Sequence, residues 1–216
     1  MAEYVEYNAP KGPKMYKFGK YSFSTTELKH LSIAFLMITL TLMALQRGIL
    51  GRQNEIDLLS FIIIFFFSVG LGFLLHEIGH KLTAQYYGYI SEFRADFFML
   101  FISFVIAILF GFTFLAPGAV MILGRPTIKQ NGKISVAGPL INLTIALIYV
   151  MLNLIINPAQ GTLLSFIFSV GIIVNAFLGI FNMLPFWILD GKKVLAWNKP
   201  VYFSVMGALL IIFLFL

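Results

Sequence analysis

No cysteine occurs anywhere in the 216 residues. Disulfides are thereby excluded, and any metal site has to be built from His, Asp, Glu or other N/O ligands. Charge is scarce too: 11% of the residues are Asp, Glu, Lys or Arg, against about 25% in an ordinary soluble domain. Acids thin out along the chain. No Glu follows Glu92, and the one acid after Asp96 is Asp190. Histidines number three, His30, His76 and His80. Met1–Lys20 lacks the apolar core of a signal peptide. The net charge of +6 comes without a basic stripe interleaved with aromatics, so no nucleic-acid partner is expected.

What is there is apolar. Hydrophobic residues make up 60% of the chain and the mean hydropathy is +0.93. A chain of this composition cannot cover itself with a polar surface in water, so a polytopic membrane protein embedded in the lipid bilayer is expected. No stretch reads as a separate soluble domain. The expectation is a cytoplasmic tail over residues 1–27 and one transmembrane domain over residues 28–216.

A spanning helix needs about 20 apolar residues. Leu28–Gln46, Leu58–Leu82, Ile134–Ile156, Leu163–Leu184 and the shorter Pro200–Leu216 meet or approach that length. A further stretch, Phe97–Leu115, is broken by Ala116-Pro117-Gly118. The fold class expected is all-α, with about five spanning helices, one re-entrant or membrane-buried segment and a small β insert. Strands are expected within Tyr86–Asp96 and Ala116–Leu123. Turn signals stand at Gln130-Asn131-Gly132, Asn157-Pro158 and Asn198-Lys199-Pro200.

Basic residues assign the sides. Lys11, Lys14, Lys17 and Lys20 put the N-terminus in the cytoplasm, and Lys192, Lys193 and Lys199 suit the same side. Arg125, Lys129 and Lys133 agree with them. The uncharged Asn157–Thr162 connector suits the outside. The Arg47–Asp57 connector, with Arg47 and Arg52 beside Glu55 and Asp57, does not outweigh the tail.

The chemistry is concentrated in His76-Glu77-Ile78-Gly79-His80. Two His at i, i+4 leave one helix face about one turn apart, the bite that two ligands of a tetrahedral Zn²⁺ require. Glu77, offset by about 100°, reaches the metal's edge and can take a proton from water. Placing these groups in a membrane helix is expensive, which makes them a functional site by default. The bland alternative is a polar cluster at a helix end satisfied by water and headgroups. His30 reads as an interfacial residue, and Glu92, Arg94 and Asp96 as solvated or mutually paired.

A catalytic zinc usually has three protein ligands and one open position. Asp190 is the leading candidate for the third, as an acid in apolar surroundings followed by Gly191. The alternative is that Asp190 caps the Lys192/Lys193 loop. Glu-ligated membrane peptidases, such as a prenyl-protein protease, are disfavoured because no later Glu exists. A zinc transporter or a non-catalytic membrane zinc protein remains the rival; it should spread ionisable residues through several helices.

Together, His76–His80, Asn182-Met183-Leu184-Pro185-Phe186-Trp187-Ile188-Leu189-Asp190-Gly191 and Ala137-Gly138-Pro139-Leu140-Ile141-Asn142 resemble the motifs of the site-2 protease family of intramembrane metalloproteases. The resemblance covers roughly residues 58–195. It implies that His76, His80 and Asp190 bind zinc and that Glu77 is the catalytic base. It also implies that Asn182, and with it Asn142, lies near the substrate or the oxyanion. The substrates implied are transmembrane segments of membrane proteins; the basic residues separately place His76–His80 toward the cytoplasmic end of the second apolar stretch of a cell-membrane protein. Lys192 departs from the second Gly that many members carry after Asp-Gly, and no PDZ or CBS domain is apparent.

If the His pair and Asp190 share one metal, an even number of crossings separates them. Ile134–Ile156 and Leu163–Leu184 are the cleaner spans, so Phe97–Leu115 should dip into the membrane without crossing. Irregular backbone at that depth needs protein or a wet cavity over it.

Overall fold

A computed structural model describes residues 13–50, 57–111, 118–186 and 188–215. Readings that rest on Lys11, Arg52, Glu55, Leu115, Ala116, Pro117 or Trp187 lie outside the described residues, as does the side chain of Arg47.

The chain opens on a β-hairpin that sequence reasoning left as tail. Strands β1 (Met15–Phe18) and β2 (Tyr21–Ser24) pair antiparallel, with Phe18 opposite Tyr21. Gly19, at φ 59°, takes the first position of the two-residue turn, where a positive φ is required. Helix α1 (Thr25–Leu50) follows without a linker, and the Ser24 hydroxyl accepts the Glu27 N–H at 3.0 Å as its cap.

The second apolar stretch forms one long rod. Asp57 caps helix α2 (Leu58–Phe65) by accepting the Ser60 N–H at 3.0 Å. A single π-helical turn, Phe66–Gly70, passes directly into α3 (Leu71–Tyr86). The His motif sits in the second half of α3.

Strand β3 (Ile90–Ala95) pairs antiparallel with β4 (Gly118–Leu123), from Ile90 opposite Leu123 to Ala95 opposite Gly118. Both strands fall where sequence reasoning expected them. Helix α4 (Phe97–Phe110) lies between them, capped by Asp96, which accepts the Met99 N–H at 3.0 Å. Its 14 residues reach about 21 Å, short of a hydrocarbon core of about 30 Å. The register sets Gly118 beside Ala95, the residue from which the chain leaves for α4.

Helix α5 (Ile128–Ile156) begins six residues earlier than the apolar pattern suggested. Thr127 accepts the Gln130 N–H and Gln130 accepts the Thr127 N–H, a capping box that turns Gln130-Asn131-Gly132 into helix rather than a turn. Asn157, at φ 43°, ends α5 as expected. Helices α6 (Leu163–Asn182), α7 (Asp190–Trp197) and α8 (Lys199–Phe215) complete the chain. The Asn198 side chain accepts the Val201 N–H at 3.0 Å and marks the break between α7 and α8.

The protein is mostly helical, with two small sheets. Among the described residues three helices are long and apolar enough to cross a membrane: Leu59–Tyr86, Ile128–Ile156 and Leu163–Asn182. Helices α4 and α8, at 14 and 17 residues, are shorter. Helix α5 is central and packs against α3, α6 and α7. One buried cluster, including Ile38, Val69, Phe73 and Phe93, joins α1, the rod and β3. Another, including Val136, Met183, Val194 and Leu209, joins α5, α7 and α8.

Candidate metal centre

Helix α3 delivers His76 and His80 to one face, and both are buried. Their Nε2 atoms stand 3.0 Å apart. The Asp190 carboxylate arrives at the first residue of α7, with Oδ2 3.0 Å from His80 Nε2 and 3.7 Å from His76 Nε2. Sequence reasoning thus named three groups that the fold brings within 4.8 Å of one another.

Glycines permit this meeting. A Cβ at Gly79 would lie 2.5 Å from Ile141 Cδ1 and 3.3 Å from the Ala137 carbonyl, so α3 and α5 cross closely there. A Cβ at Gly138 on α5 would lie 2.5 Å from His80 Nε2 and 2.6 Å from His76 Nε2. Gly138 therefore keeps open the space where the two ring nitrogens converge. Gly191 serves through close approach rather than through a special turn: a Cβ on it would run into the Met183 carbonyl beneath the start of α7.

Hydrogen bonding on the far side of each ring fixes which nitrogen is free. His80 Nδ1 lies 2.8 Å from the Ile134 carbonyl, which can only accept, so Nδ1 carries the proton. His76 Nδ1 lies 2.6 Å from Asn142 Oδ1. The Asn142 amide group donates to the Gly72 carbonyl at 3.3 Å, which settles that its oxygen faces His76 and that His76 Nδ1 also donates. Two Nε2 lone pairs and a carboxylate oxygen then face each other in a buried space. That is an acceptor-only cluster, and it needs a cation.

Zinc fits it. Zn–N bonds of 2.0–2.1 Å in tetrahedral geometry put ligand atoms about 3.3 Å apart. The three separations of 3.0, 3.0 and 3.7 Å bracket that value. The Asp190 side chain is 13% exposed, so it meets the histidines largely out of solvent. Its second oxygen, Oδ1, lies 3.7 Å from Lys193 Nζ.

Glu77 lies between the two histidines on α3, partly buried. It interacts electrostatically with His76, Asp190 and Lys193, and its carboxylate makes no hydrogen bond within the described residues. Asn182, the last residue of α6, donates to the Leu178 carbonyl at 3.0 Å and makes no hydrogen bond to the three ligands. Asn142 is fully buried, its amide committed to His76, Gly72 and Asn175.

Over 176 residues the chain is 42% identical to a protein of Methanocaldococcus jannaschii whose name describes it as a candidate zinc metalloprotease; the match covers 81% of this chain and 90% of that relative. The chain belongs to this zinc metalloprotease family. No protein-family profile and no solved structure matches it. As a zinc metalloprotease with membrane-capable helices, the chain has zinc as its cofactor, and His76, His80 and Asp190 form a group able to hold it. Family membership favours an enzyme over the zinc transporter.

Sequence reasoning did not single out three features of this surrounding. These are the Gly138 gap, Asn175, and a buried ion pair behind the motif helix. Lys81 Nζ, immediately after His80, lies 2.8 Å from Glu27 Oε2. It also donates to the Ser91 carbonyl at 2.7 Å. Glu27 Oε1 accepts the Phe93 N–H at 2.9 Å, and His30 Nδ1 accepts the Ala95 N–H at 3.1 Å. The edge of β3 that faces α1 is thus closed by side chains. His30 serves the sheet there. Glu92 and Arg94 pair with each other. A polar residue amid an apolar run was the available signal for Asn175.

Proposed function

We propose that the protein is an intramembrane metalloprotease of the site-2 type, hydrolysing peptide bonds within or near transmembrane segments of membrane proteins. The observation that carries this reading is the meeting of His76 and His80, on a helix apolar enough to cross a bilayer, with Asp190 at the start of α7. The resemblance of the His76–His80, Asn142 and Asn182–Asp190 motifs to that family supports it.

His76 Nε2, His80 Nε2 and Asp190 Oδ2 would hold the metal. Zinc supplies Lewis acidity there, lowering the pKa of a water toward about 7 and polarising a peptide carbonyl. Glu77 accepts the proton of the attacking water and returns it to the leaving amine. Its freedom from hydrogen bonds leaves both carboxylate oxygens available for that traffic. Lys193, on Asp190 Oδ1, keeps that carboxylate turned with Oδ2 toward the histidines. For Asn142 we assign the orientation of His76 in place of a substrate contact, because its donors and its oxygen are all engaged. Asn182 keeps a carbonyl oxygen free of described partners and stays the residue we assign to the substrate side.

A transmembrane substrate must expose an extended stretch, and β4 offers a place for it. Phe93 and Ala95 turn their N–H groups away from β4. The alternation of an antiparallel pair therefore sends the N–H groups of Val120 and Ile122 to the outer edge of β4. Strand addition there would use main-chain bonds, with the exposed Met121 and Leu123 beside it. On the topology we propose, the tail and the active-site face are cytoplasmic, and the excursion through α4 dips and returns.

The deciding experiment incubates a panel of membrane peptides with wild type and Glu77→Gln and measures zinc in both. Cleavage by the wild type alone, with equal zinc, supports the reading. Cleavage of soluble peptides only, or full activity of Glu77→Gln, would refute it.

A further inference from the structure

Asn175 stands in the middle of the apolar helix α6 and is completely buried. A polar amide at such a place is costly unless every group is matched. Here every group is. Its Nδ2 donates to the Ser68 carbonyl at 2.9 Å and to the Gly171 carbonyl at 2.8 Å. Both of these can only accept, so the orientation of the amide is fixed and Oδ1 points the other way. That oxygen accepts from Asn142 Nδ2 at 3.1 Å. Asn142 in turn sends its second proton to the Gly72 carbonyl and offers Oδ1 to His76 Nδ1–H.

We infer that Asn175 is a positioning residue for the zinc site, acting on His76 through Asn142. Reversing the Asn175 amide would set its NH₂ against the NH₂ of Asn142. Reversing both would set a donor against the protonated Nδ1 of His76. The two amides therefore hold one polarity from the Ser68 carbonyl to the imidazole, and that polarity keeps the Nε2 lone pair directed at the metal position. Outer partners of this kind fix the tautomer and ring angle of a metal-binding His.

The π-turn supplies the starting point. Ser68 lies in Phe66–Gly70, and the neighbouring Phe67 carbonyl is taken by the Tyr149 hydroxyl at 2.6 Å. Gly72 leaves room for the relay, since a Cβ there would run into the Asn175 amide. Ser68, Gly72 and His76 are spaced four residues apart on the same rod. The rod thus carries both the histidine and the carbonyls that orient the amides holding it. Helices α5 and α6 are keyed to the motif by that loop of bonds.

The inference rests on the zinc site and not on where cleavage occurs, so its test measures metal and needs no substrate. Full-length protein in detergent is titrated with zinc against a chelator, and the ¹⁵N shifts of His76 are recorded without metal. Asn142→Ala should bind zinc about 10- to 100-fold more weakly. Asn175→Ala should lose about 10-fold, with His76 drifting from the single Nδ1–H tautomer. In the Asn142→Ala background, Asn175→Ala should cost nothing further, because the relay is already cut. Tyr149→Phe, which loosens the same π-turn without touching the relay, should bind zinc as wild type does. If Asn175→Ala does not accumulate, Asn175→Ser is measured and the same loss is expected. Additive losses in the double variant, or an unshifted His76 tautomer with unchanged affinity in the Asn175 variant, overturn the inference. So does an equal loss in Tyr149→Phe.

Discussion

Removing one member of the Glu27–Lys81 pair should destabilise the protein far more than removing both. The two side chains are 1% exposed or less, and Nζ lies 2.8 Å from Oε2. At an effective dielectric constant of about 20, that separation corresponds to about 6 kcal/mol of attraction before desolvation is counted. Lys81→Met keeps the straight apolar stem but strands the Glu27 carboxylate with the Phe93 N–H as its remaining bonded partner. Stranding a buried charge costs about 3–5 kcal/mol, a large share of a typical stability of about 5–15 kcal/mol. Glu27→Gln should cost a similar amount by stranding the ammonium, although the Ser91 carbonyl still accepts from it. The double variant buries no charge and should recover at least half of the summed loss. Reversible unfolding in detergent, followed by circular dichroism in low and high salt, measures all four proteins. The difference should survive high salt, since buried pairs are little screened. Single variants that each lose under about 1 kcal/mol, or a double variant at the full sum, would show that the pair does not act as a unit.

Glu77→Gln should abolish peptide cleavage while zinc content, read by atomic absorption, stays at the wild-type level. His76→Ala and Asp190→Ala should each lose zinc in the same measurement. Gly138→Ala should also lose zinc, by about tenfold or more, because its methyl group would occupy the ligand space; near-wild-type affinity would contradict the role given to that gap. Val120→Pro and Ile122→Pro each remove an outward N–H from β4 and should slow cleavage of transmembrane substrates. Chelator-resistant zinc should remain in both, and unchanged cleavage in both would remove β4 as a docking edge.

Much of the metal centre was legible because its chemistry is local. The i, i+4 histidines needed a helix and nothing more. Asp190 stood out as an acid in apolar surroundings followed by Gly191, and the resemblance of Asn182–Gly191 to a family motif assigned it to the metal. The strands at Ile90–Ala95 and Gly118–Leu123 announced themselves through composition and a broken apolar run. What stayed hidden depends on long-range meeting. Glu27 lies 54 residues from Lys81, and Asn175 lies 107 from Ser68. No window of sequence holds both partners of either contact. The start of α5 was misjudged for a different reason: Gln130-Asn131-Gly132 has turn composition, and the capping box at Thr127 overrides it. The hairpin at Met15–Ser24 was missed because four-residue strands carry too little periodicity to stand out.

The pairing of Ala95 with Gly118 separates two properties that usually travel together in a membrane protein, the depth an element reaches and the position of everything after it. The ladder from Ile90 to Leu123 is complete on either side of the detour, so the length of the detour is invisible to the metal site. Chains related to this one could lengthen α4 at its far end, keeping its packing on α1 and Leu100 in the core with Phe73 and Phe93, without moving His76, His80 or Asp190. The same point on the sheet is where a reporter or a foreign loop could be spliced in while the catalytic constellation keeps its register.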